Sequence, residues 1–589
     1  MFQNLSQFLE QVRKAGELAI IDAPVDPYLE IAEIHRRVIE EGGPVLLFTN
    51  VKGSKFPVVT NLFGTIPRVD LAFGPRPEQF MRRIVKAADT LVPPTPKKIW
   101  EQRDLIWGLA KVGTKTISAS DAPVLKNLVR DNPMAQLPVL TSWQLDGGPF
   151  VTLPLVYTEH PTTHAHNLGM YRMHVYDGQT TGMHWQIGKG GGFHHAAAEE
   201  LGQALPTTVF LGGPPALIAS AIAPVPEHLP ELMLTSLILG EKLKVAEDPH
   251  GAHKLVAEAE FAIHGSVPAH QRRLEGPFGD HFGYYSWAHD FPVFNIDHMW
   301  HRDGAIYPAT IVGKPRQEDY YLGDFLQRLL SPAFPMAMPG VRDLWTYAES
   351  GFHPLASAVV RESYSREALT SAYRILGEGQ LSLTKFLIVT DRAVDLGNFS
   401  ELMEAVLERF DPRTDLFVMN HTSHDTLDYT GRQLNHGSKA ILVGVGQEPI
   451  RKLPDVYTSG TLEGVRDARP YGKGILVVSG PAFEEEENFP QRLLDNHASD
   501  LEEWPLVFVV DDAEAVVQNQ TSFLWTTFTR FNPATDMFAR SDVERHHIHY
   551  KLPIVIDARM KPAYPDELFP REDIVELVDR RWKEYFPKA

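Results

Sequence analysis

A chain of 589 residues exceeds what one hydrophobic core sustains, since cores stop growing at roughly 250–300 residues, so several domains are expected. Its 43% apolar and 22% charged content is that of an ordinary globular protein, and the absence of cysteine excludes disulfides, thiolate nucleophiles and sulfur metal sites. The net charge of −19, with no long basic run, argues against nucleic acid or an anionic membrane surface as main partner, but not against a small anionic substrate.

Met1 to Lys14 lacks a basic segment followed by an apolar one, so no signal peptide is expected. No stretch approaches the roughly 20 apolar residues of a membrane span, and the longest apolar run, Thr208 to Ala223, is broken by glycine and proline. A cytoplasmic enzyme is expected.

Leu5, Phe8, Leu9 and Val12 recur at helical spacing before Gly16. Asp26-Pro27 suggests an N-cap and first turn for a helix through Glu41, stopped by Gly42-Gly43, and Val45–Phe48 is a short buried strand. Residues 1–118 are therefore assigned to an N-terminal α/β domain, with Val92-Pro93-Pro94-Thr95-Pro96 crossing its surface. From 119 to 322, short β-rich runs such as Phe150–Leu153 and Phe291–Ile296 alternate with turns, which suggests an antiparallel sheet or barrel.

The C-terminal part contains a repeat. Lys385–Asp391 and Leu506–Asp512 each precede a helical stretch and then the related segments Arg409–Phe417 and Arg530–Phe538. Arg409 and Arg530, Pro412 and Pro533, and Asp415 and Asp536 are each 121 residues apart. A duplicated βαβ unit in a parallel sheet is expected, with an α/β domain holding the first repeat at 323–480 and the second repeat plus a closing helix at 481–589. Ile574, Val575, Leu577, Val578, Trp582, Tyr585 and Phe586 line one face of that helix, for packing on a neighbouring domain or subunit.

The chemistry concentrates in Glu275-Gly276-Pro277-Phe278-Gly279-Asp280, followed by His281. Two carboxylates five residues apart, on a backbone shaped by a proline and two glycines, can share one cavity and have their pKa values pushed apart. An acidic surface turn would show the same spacing. Upstream lie Asn167-Leu168-Gly169-Met170-Tyr171-Arg172, then Gly190-Gly191-Gly192-Phe193-His194-His195, then Glu231. Amide, imidazole and carboxylate form a mixed hard donor set suited to Mn²⁺ or Mg²⁺.

In order and approximate spacing these motifs resemble the UbiD family of reversible decarboxylases, which use prenylated FMN. The resemblance implies a split β-barrel of flavin-reductase type over 119–322. It implies that Asn167, His194 and Glu231 bind a divalent ion bridging to the cofactor phosphate, with His195 in reserve for His194 and K⁺ as a further ion. It places Arg172 in a network with Glu275 and Asp280 and against the flavin, beside Met170, Tyr171, His184, Trp185, Gln186, Lys189 and Gly190. Asp280 is assigned as the acid that protonates carbon after CO₂ leaves, with a pKa raised by burial beside Glu275, while Glu275 stays ionised against Arg172.

The Asp280-His281 pair is similar to the branch acting on hydroxyaryl acids, so the expected substrate is a hydroxybenzoate or a bicyclic hydroxynaphthoate. A flavin prenyltransferase would supply the cofactor, and a homo-oligomer, dimer or hexamer, is expected. The family's Gly-Ser-Lys and Asp-Ala elements are split between the repeats, at Gly437-Ser438-Lys439 and at Lys551 with Asp557-Ala558, so either Lys439 or Lys551 is a candidate for reaching the cofactor. The competing reading is a flavin-binding redox protein whose carboxylates are structural.

Overall fold

The computed structural model describes residues 1–90, 95–186, 188–224, 230–431, 433–458 and 460–587. It is a mixed α/β protein with several sheets. Its contacts divide it into two units, residues 1–329 with the returning segment from Asp566 onward, and Leu330–Pro565. Among the described residues no helix is long and apolar enough to cross a membrane. The stretch expected to cross the surface, Val92-Pro93-Pro94, lies outside the described residues.

In the first unit the helix Leu5–Lys14 buries Leu5, Phe8, Leu9 and Val12, as their spacing predicts, and Asn4 caps it by accepting from the Gln7 N–H. The next helix begins later than Asp26-Pro27 suggests, spanning Glu30–Glu40. Asp26 instead accepts from the Tyr28 N–H at 2.9 Å, closing a local turn, and Leu29 at φ 65° delays helix entry. Strands Leu18–Ile21, Val45–Phe48 and Val58–Thr60 form a small sheet, which Tyr307–Pro308 joins.

The largest sheet of this unit is eight-stranded and its pairings are antiparallel. It runs from Thr180–Gly182 through His289–His301, Phe261–Val267, Leu205–Leu211 and Leu155–Glu159 to His166–Met170. The apolar run Thr208–Ala223 divides into the end of one of these strands and the helix Pro215–Ile222. Segment 566–589 returns to this unit. Its helix, Glu572–Tyr585, sets Ile574, Val578 and Tyr585 into the core shared with the helix Glu30–Glu40, where Tyr585 and Arg581 both bond to Glu30. The apolar face of the closing helix therefore packs on the N-terminal part of its own chain.

The second unit holds two five-stranded sheets in the region where a duplicated βαβ unit is expected. Its first sheet has the order Val341–Tyr347, Phe352–Val360, Phe386–Thr390, His436–Gly444, Leu416–Ser423. Its second has the order Asp467–Gly472, Ile475–Ser479, Leu506–Val510, Ile554–Asp557, Met537–Phe538. The pairings match step for step: antiparallel, parallel, parallel, antiparallel. The strand after the repeated helix is thus an antiparallel edge strand rather than the third member of a parallel βαβ.

The repeated segment makes the same turn in both copies. Asp415 accepts from the Asp411 N–H at 2.9 Å, and Asp536 accepts from the Asn532 N–H at 2.8 Å. Phe386, Phe399 and Phe410 of one copy share a core with Phe508, Phe523, Phe528 and Phe531 of the other, so each repeat covers the other's apolar face.

Candidate active site

Strands Leu155–Glu159 and His166–Met170 pair with Thr158 opposite Asn167. The chain then passes Tyr171 and Arg172 into Met173–His174, which pairs with Phe150–Val151. Arg272–Glu275 pairs with the long strand His289–His301 and ends with Glu275 opposite His289. Beyond it, Gly276 takes a φ of 90°, in the left-handed region that favours glycine, and the chain folds into a hairpin. The hairpin is held by Ser286 N–H to the Phe278 carbonyl at 2.7 Å, Asp280 N–H to the Tyr284 carbonyl at 3.0 Å, and Gly283 N–H back to the Asp280 carbonyl at 2.9 Å. Leu568 N–H, on the returning segment, donates to the Gly283 carbonyl at 3.0 Å and braces the turn.

Arg172 joins the two carboxylates. Its Nε and one terminal nitrogen donate to Glu275 Oε1 at 3.0 and 2.9 Å, and its other terminal nitrogen donates to Asp280 Oδ2. The nitrogen serving Glu275 also donates to Ser286 Oγ at 2.9 Å, and the guanidinium lies 4.7 Å from the centre of the Phe278 ring. His184 Nδ1 sits 3.0 Å from Glu275 Oε1, and Gln186 Nε2 reaches His184 Nε2 at 3.4 Å. The other oxygen of Asp280 meets both the backbone N–H and the ring Nδ1 of His281, each at 2.7 Å.

Glu275 and Asp280 are both buried, and burial alone would raise their pKa values. The charges of His184 and Arg172 outweigh that effect at Glu275 and bring it down to about 2. Arg172, together with the His281 contacts, holds Asp280 well below its ordinary value. The expected separation of the two carboxyls is therefore absent from this arrangement: Asp280 is not raised by Glu275, because the same guanidinium serves both.

Four of the residues expected around a cofactor, Tyr171, Trp185, Lys189 and Gly190, meet at one helix start, whereas Arg172 and His184 are held at Glu275. Gly190–Glu200 begins immediately after Lys189, and the Gly191 N–H donates to the Tyr171 hydroxyl at 3.2 Å. A Cβ at Gly190 would stand 2.1 Å from Asn167 Oδ1, and one at Gly191 would stand 2.5 Å from Trp185 Nε1, so this close approach requires glycine. Trp185 Nε1 is buried with no hydrogen-bond partner among the described residues. Met170 ends its strand beside this cluster and is half-buried.

The three expected metal ligands are brought to one end of the sheet, each with a protein partner. Glu231 starts the helix Glu231–Leu239 and accepts from the Leu168 N–H at 3.0 Å. Burial raises its pKa, and no cationic side chain pairs with it among the described residues. Asn167 Nδ2 lies 3.4 Å from the Tyr171 hydroxyl. His194 Nδ1 lies 2.9 Å from Thr158 Oγ1, the residue directly across from Asn167. Burial, with His160 and His166 nearby, pushes His194 down to about 4, so its imidazole is neutral. His195 turns the other way, toward Trp185 and, at 3.7 Å, Glu199. Among the described residues no three His, Asp or Glu side chains form a metal-ligating group. A half-buried carboxylate with no cationic partner among the described residues, a neutral imidazole and an amide oxygen nonetheless suit a hard divalent cation.

Three family models match the chain in order. They are the N-terminal domain of 3-octaprenyl-4-hydroxybenzoate carboxy-lyase at residues 9–88, its Rift-related domain at 115–315 and its C-terminal domain at 320–444. The chain belongs to the UbiD family of carboxy-lyases. A Chlamydia pneumoniae protein named as a 4-hydroxybenzoate decarboxylase subunit is 49% identical over 586 residues, covering 99% of this chain and 98% of that protein. The vanillic acid decarboxylase of Sedimentibacter hydroxybenzoicus, in closed form, matches with a TM-score of 0.68 at 23% identity, over 84% of this chain and all of that one. An evolved dimeric form of the UbiD-class enzyme HmfF from Pelotomaculum thermopropionicum, in complex with prFMN, matches with a TM-score of 0.62 at 22% identity, over 77% of this chain and 97% of that one.

For the two candidate lysines the structure gives separate settings. Lys439 is buried, donates to the Thr384 carbonyl at 2.8 Å, and is pushed down to about 8 by its burial. Lys551 is exposed and pairs with Asp542 at 2.7 Å across a hairpin. Two groups at the carboxylate hairpin carry no signal that singles them out in the sequence. Ser286 shares Arg172, and Asp146 accepts from the Gly279 N–H at 2.8 Å. Asp146-Gly147-Gly148-Pro149 carries only a turn signal, which hides the second role of its carboxylate.

Proposed function

We propose that this protein catalyses the reversible, non-oxidative decarboxylation of an aromatic carboxylic acid, a hydroxyaryl or hydroxynaphthoate compound, with prenylated FMN. The observation that carries the reading is the Arg172 fork, which holds two buried carboxylates at one hairpin beside His184 and His281. The names of the relatives, which specify hydroxybenzoate and vanillic acid, support the substrate class. The antiparallel sheet of the first unit supports a split barrel of flavin-reductase type. A flavin used only for electron transfer has no need of the carboxylate fork, which weighs against the redox alternative.

Bound prenylated FMN would supply the sink for the electron pair left when CO₂ departs. Met170, Tyr171, Trp185, Gln186, Lys189 and Gly190 would hold it. Asn167, His194 and Glu231 would hold Mn²⁺ or Mg²⁺ at its phosphate, with K⁺ as a further ion. Arg172 orients the substrate carboxylate. When that carboxylate engages Arg172, Asp280 loses part of its counter-charge while remaining buried, and its affinity for a proton rises. His281, partly exposed and 2.7 Å from Asp280 Oδ1, is placed to pass that proton from solvent. Asp280 then protonates carbon, while Glu275 stays ionised between Arg172 and His184.

Protein co-produced with a flavin prenyltransferase is expected to carry prenylated FMN and a divalent ion, both visible by mass spectrometry. Glu231→Ala should lose metal and flavin together, because it removes the one carboxylate of the donor set. Full retention of both would refute the assignment.

We also propose a cytoplasmic homo-oligomer, dimer or hexamer. Helices Pro96–Glu101 and Arg103–Leu109 support a second copy as the partner, because they leave Trp100 70% and Trp107 71% exposed beside Ile99 and Ile106. The mass from light scattering should fall toward a single chain in a Trp100→Lys, Trp107→Lys variant. A wild-type mass of one chain would sink the idea.

A further inference from the structure

The loop Ser142–Pro149 lies against the hairpin that carries Asp280, and the reaction outlined above does not use it. Four contacts join the two. Asp146 Oδ1 accepts from the Gly279 N–H at 2.8 Å, and the Gly147 N–H donates to the Pro277 carbonyl at 2.8 Å. The Leu145 N–H donates to the Tyr285 hydroxyl at 3.3 Å. The Trp143 indole fills the space beside Gly279 so closely that a Cβ there would meet Trp143 Cδ1 at 2.2 Å. Trp143 is itself fixed by its Nε1, which donates to the Val312 carbonyl at 2.9 Å.

Asp146 is the hub of these contacts. Its second oxygen accepts from the Ser142 and Trp143 N–H groups at 3.0 and 2.9 Å. The carboxylate therefore clasps its own loop with one oxygen and the catalytic hairpin with the other. The N–H it takes from the hairpin belongs to the residue immediately before Asp280. No arginine or lysine is ion-paired with it among the described residues, so its hold on Gly279 is a hydrogen bond to backbone and not part of the Arg172 fork. Burial pushes its carboxyl up to about 7, against the pull of these three N–H groups and of the Arg172 charge. In its ionised form Asp146 accepts at both oxygens, which a neutral side chain of the same size cannot do.

We propose that Asp146 is a positioning residue for the decarboxylation: it fixes the Gly279–Asp280 backbone so that the Asp280 carboxyl reaches both Arg172 and the reacting carbon. This role rests on the function proposed above. Proton transfer to carbon depends on sub-ångström placement, and a misplacement of about 1 Å can cost on the order of 10²-fold in rate.

Asp146→Asn tests it in flavin-loaded enzyme. An amide keeps one acceptor oxygen. Directed at Ser142 and Trp143 it preserves two bonds and the loop, and it turns its NH₂ toward the Gly279 N–H. The expected result is a kcat lower by about 10–100-fold with KM and flavin content near wild type. Hydrogen–deuterium exchange should speed up in peptides covering 277–283 and stay unchanged elsewhere. Gln144→Ala, in the same loop with its side chain exposed, should leave both readouts unchanged.

Wild-type kcat together with wild-type protection of 277–283 in Asp146→Asn would overturn the proposal. So would loss of flavin with a fall in protection throughout the first unit, which would make Asp146 a general fold residue. If wild type decarboxylates no aromatic acid while Asp146→Asn still frees 277–283, the anchor stands and the proposed function is what has failed.

Discussion

Asp280→Asn is expected to lower product formation by about 10²–10⁴-fold, the usual contribution of a general acid, and to stop solvent deuterium entering the product. Flavin content should be unchanged, because Asp280 lies on the hairpin and not among Asn167, His194 and Glu231. The structure sharpens this test. An asparagine oxygen can still accept from Arg172, or from the His281 N–H, so the network keeps its shape and loses only the ionisable proton site. Glu275→Gln should differ. Glu275 Oε1 takes two N–H bonds from Arg172 and a contact from His184, so an amide there keeps an acceptor but removes the charge that holds the guanidinium and the imidazole together. Activity should fall and the flavin spectrum should shift with it. Turnover by Asp280→Asn at near the wild-type rate would end the decarboxylase mechanism and favour the redox reading.

The part of the site legible in sequence is the part set by residue type. A proline and two glycines between acids predict a shaped backbone, and the hairpin at Phe278–Ser286 is that shape. What joins it to Arg172, a contact spanning 103 residues to Glu275 and 108 to Asp280, comes through family resemblance, because spacing carries no information at such separations. The sense of the Asp280 pKa shift runs opposite to the expectation because it depends on which charge stands nearer, and only geometry shows one guanidinium shared between both acids. The duplication is legible in the 121-residue offset, yet its strand direction is not. Phe386–Thr390 and Ala440–Val443 are both buried apolar runs, and nothing in such a run says which later strand takes the neighbouring parallel place. The return of 566–589 to the first unit is similarly silent, since an amphipathic helix records that it has a partner and not which one.

The largest effect on the folded state is expected from Arg172→Met. Arg172 is the shared cation for two buried carboxylates, with its own side chain 9% exposed against 0% for Glu275 and 10% for Asp280. Breaking a buried pair by removing one partner costs about 3–5 kcal/mol, because the remaining charge is stranded. Here two are stranded, with His184 and His281 left in contact with them. The pH dependence should reverse in sign. In wild type both carboxyls are held below their unfolded values, so their contribution is fully present above pH ~5 and lost as pH falls toward that of Glu275, about 2. Between pH 7.5 and 5.5 this network should leave wild-type stability flat. Without Arg172, burial dominates and the folded carboxyls, or the histidines against them, bind protons more readily than in the unfolded chain. Stability should then rise as pH is lowered across the same range. Urea unfolding midpoints at the two pH values measure this directly. A variant as stable as wild type at pH 7.5, or one that weakens on acidification, would show that Arg172 is not the charge that makes two buried acids tolerable.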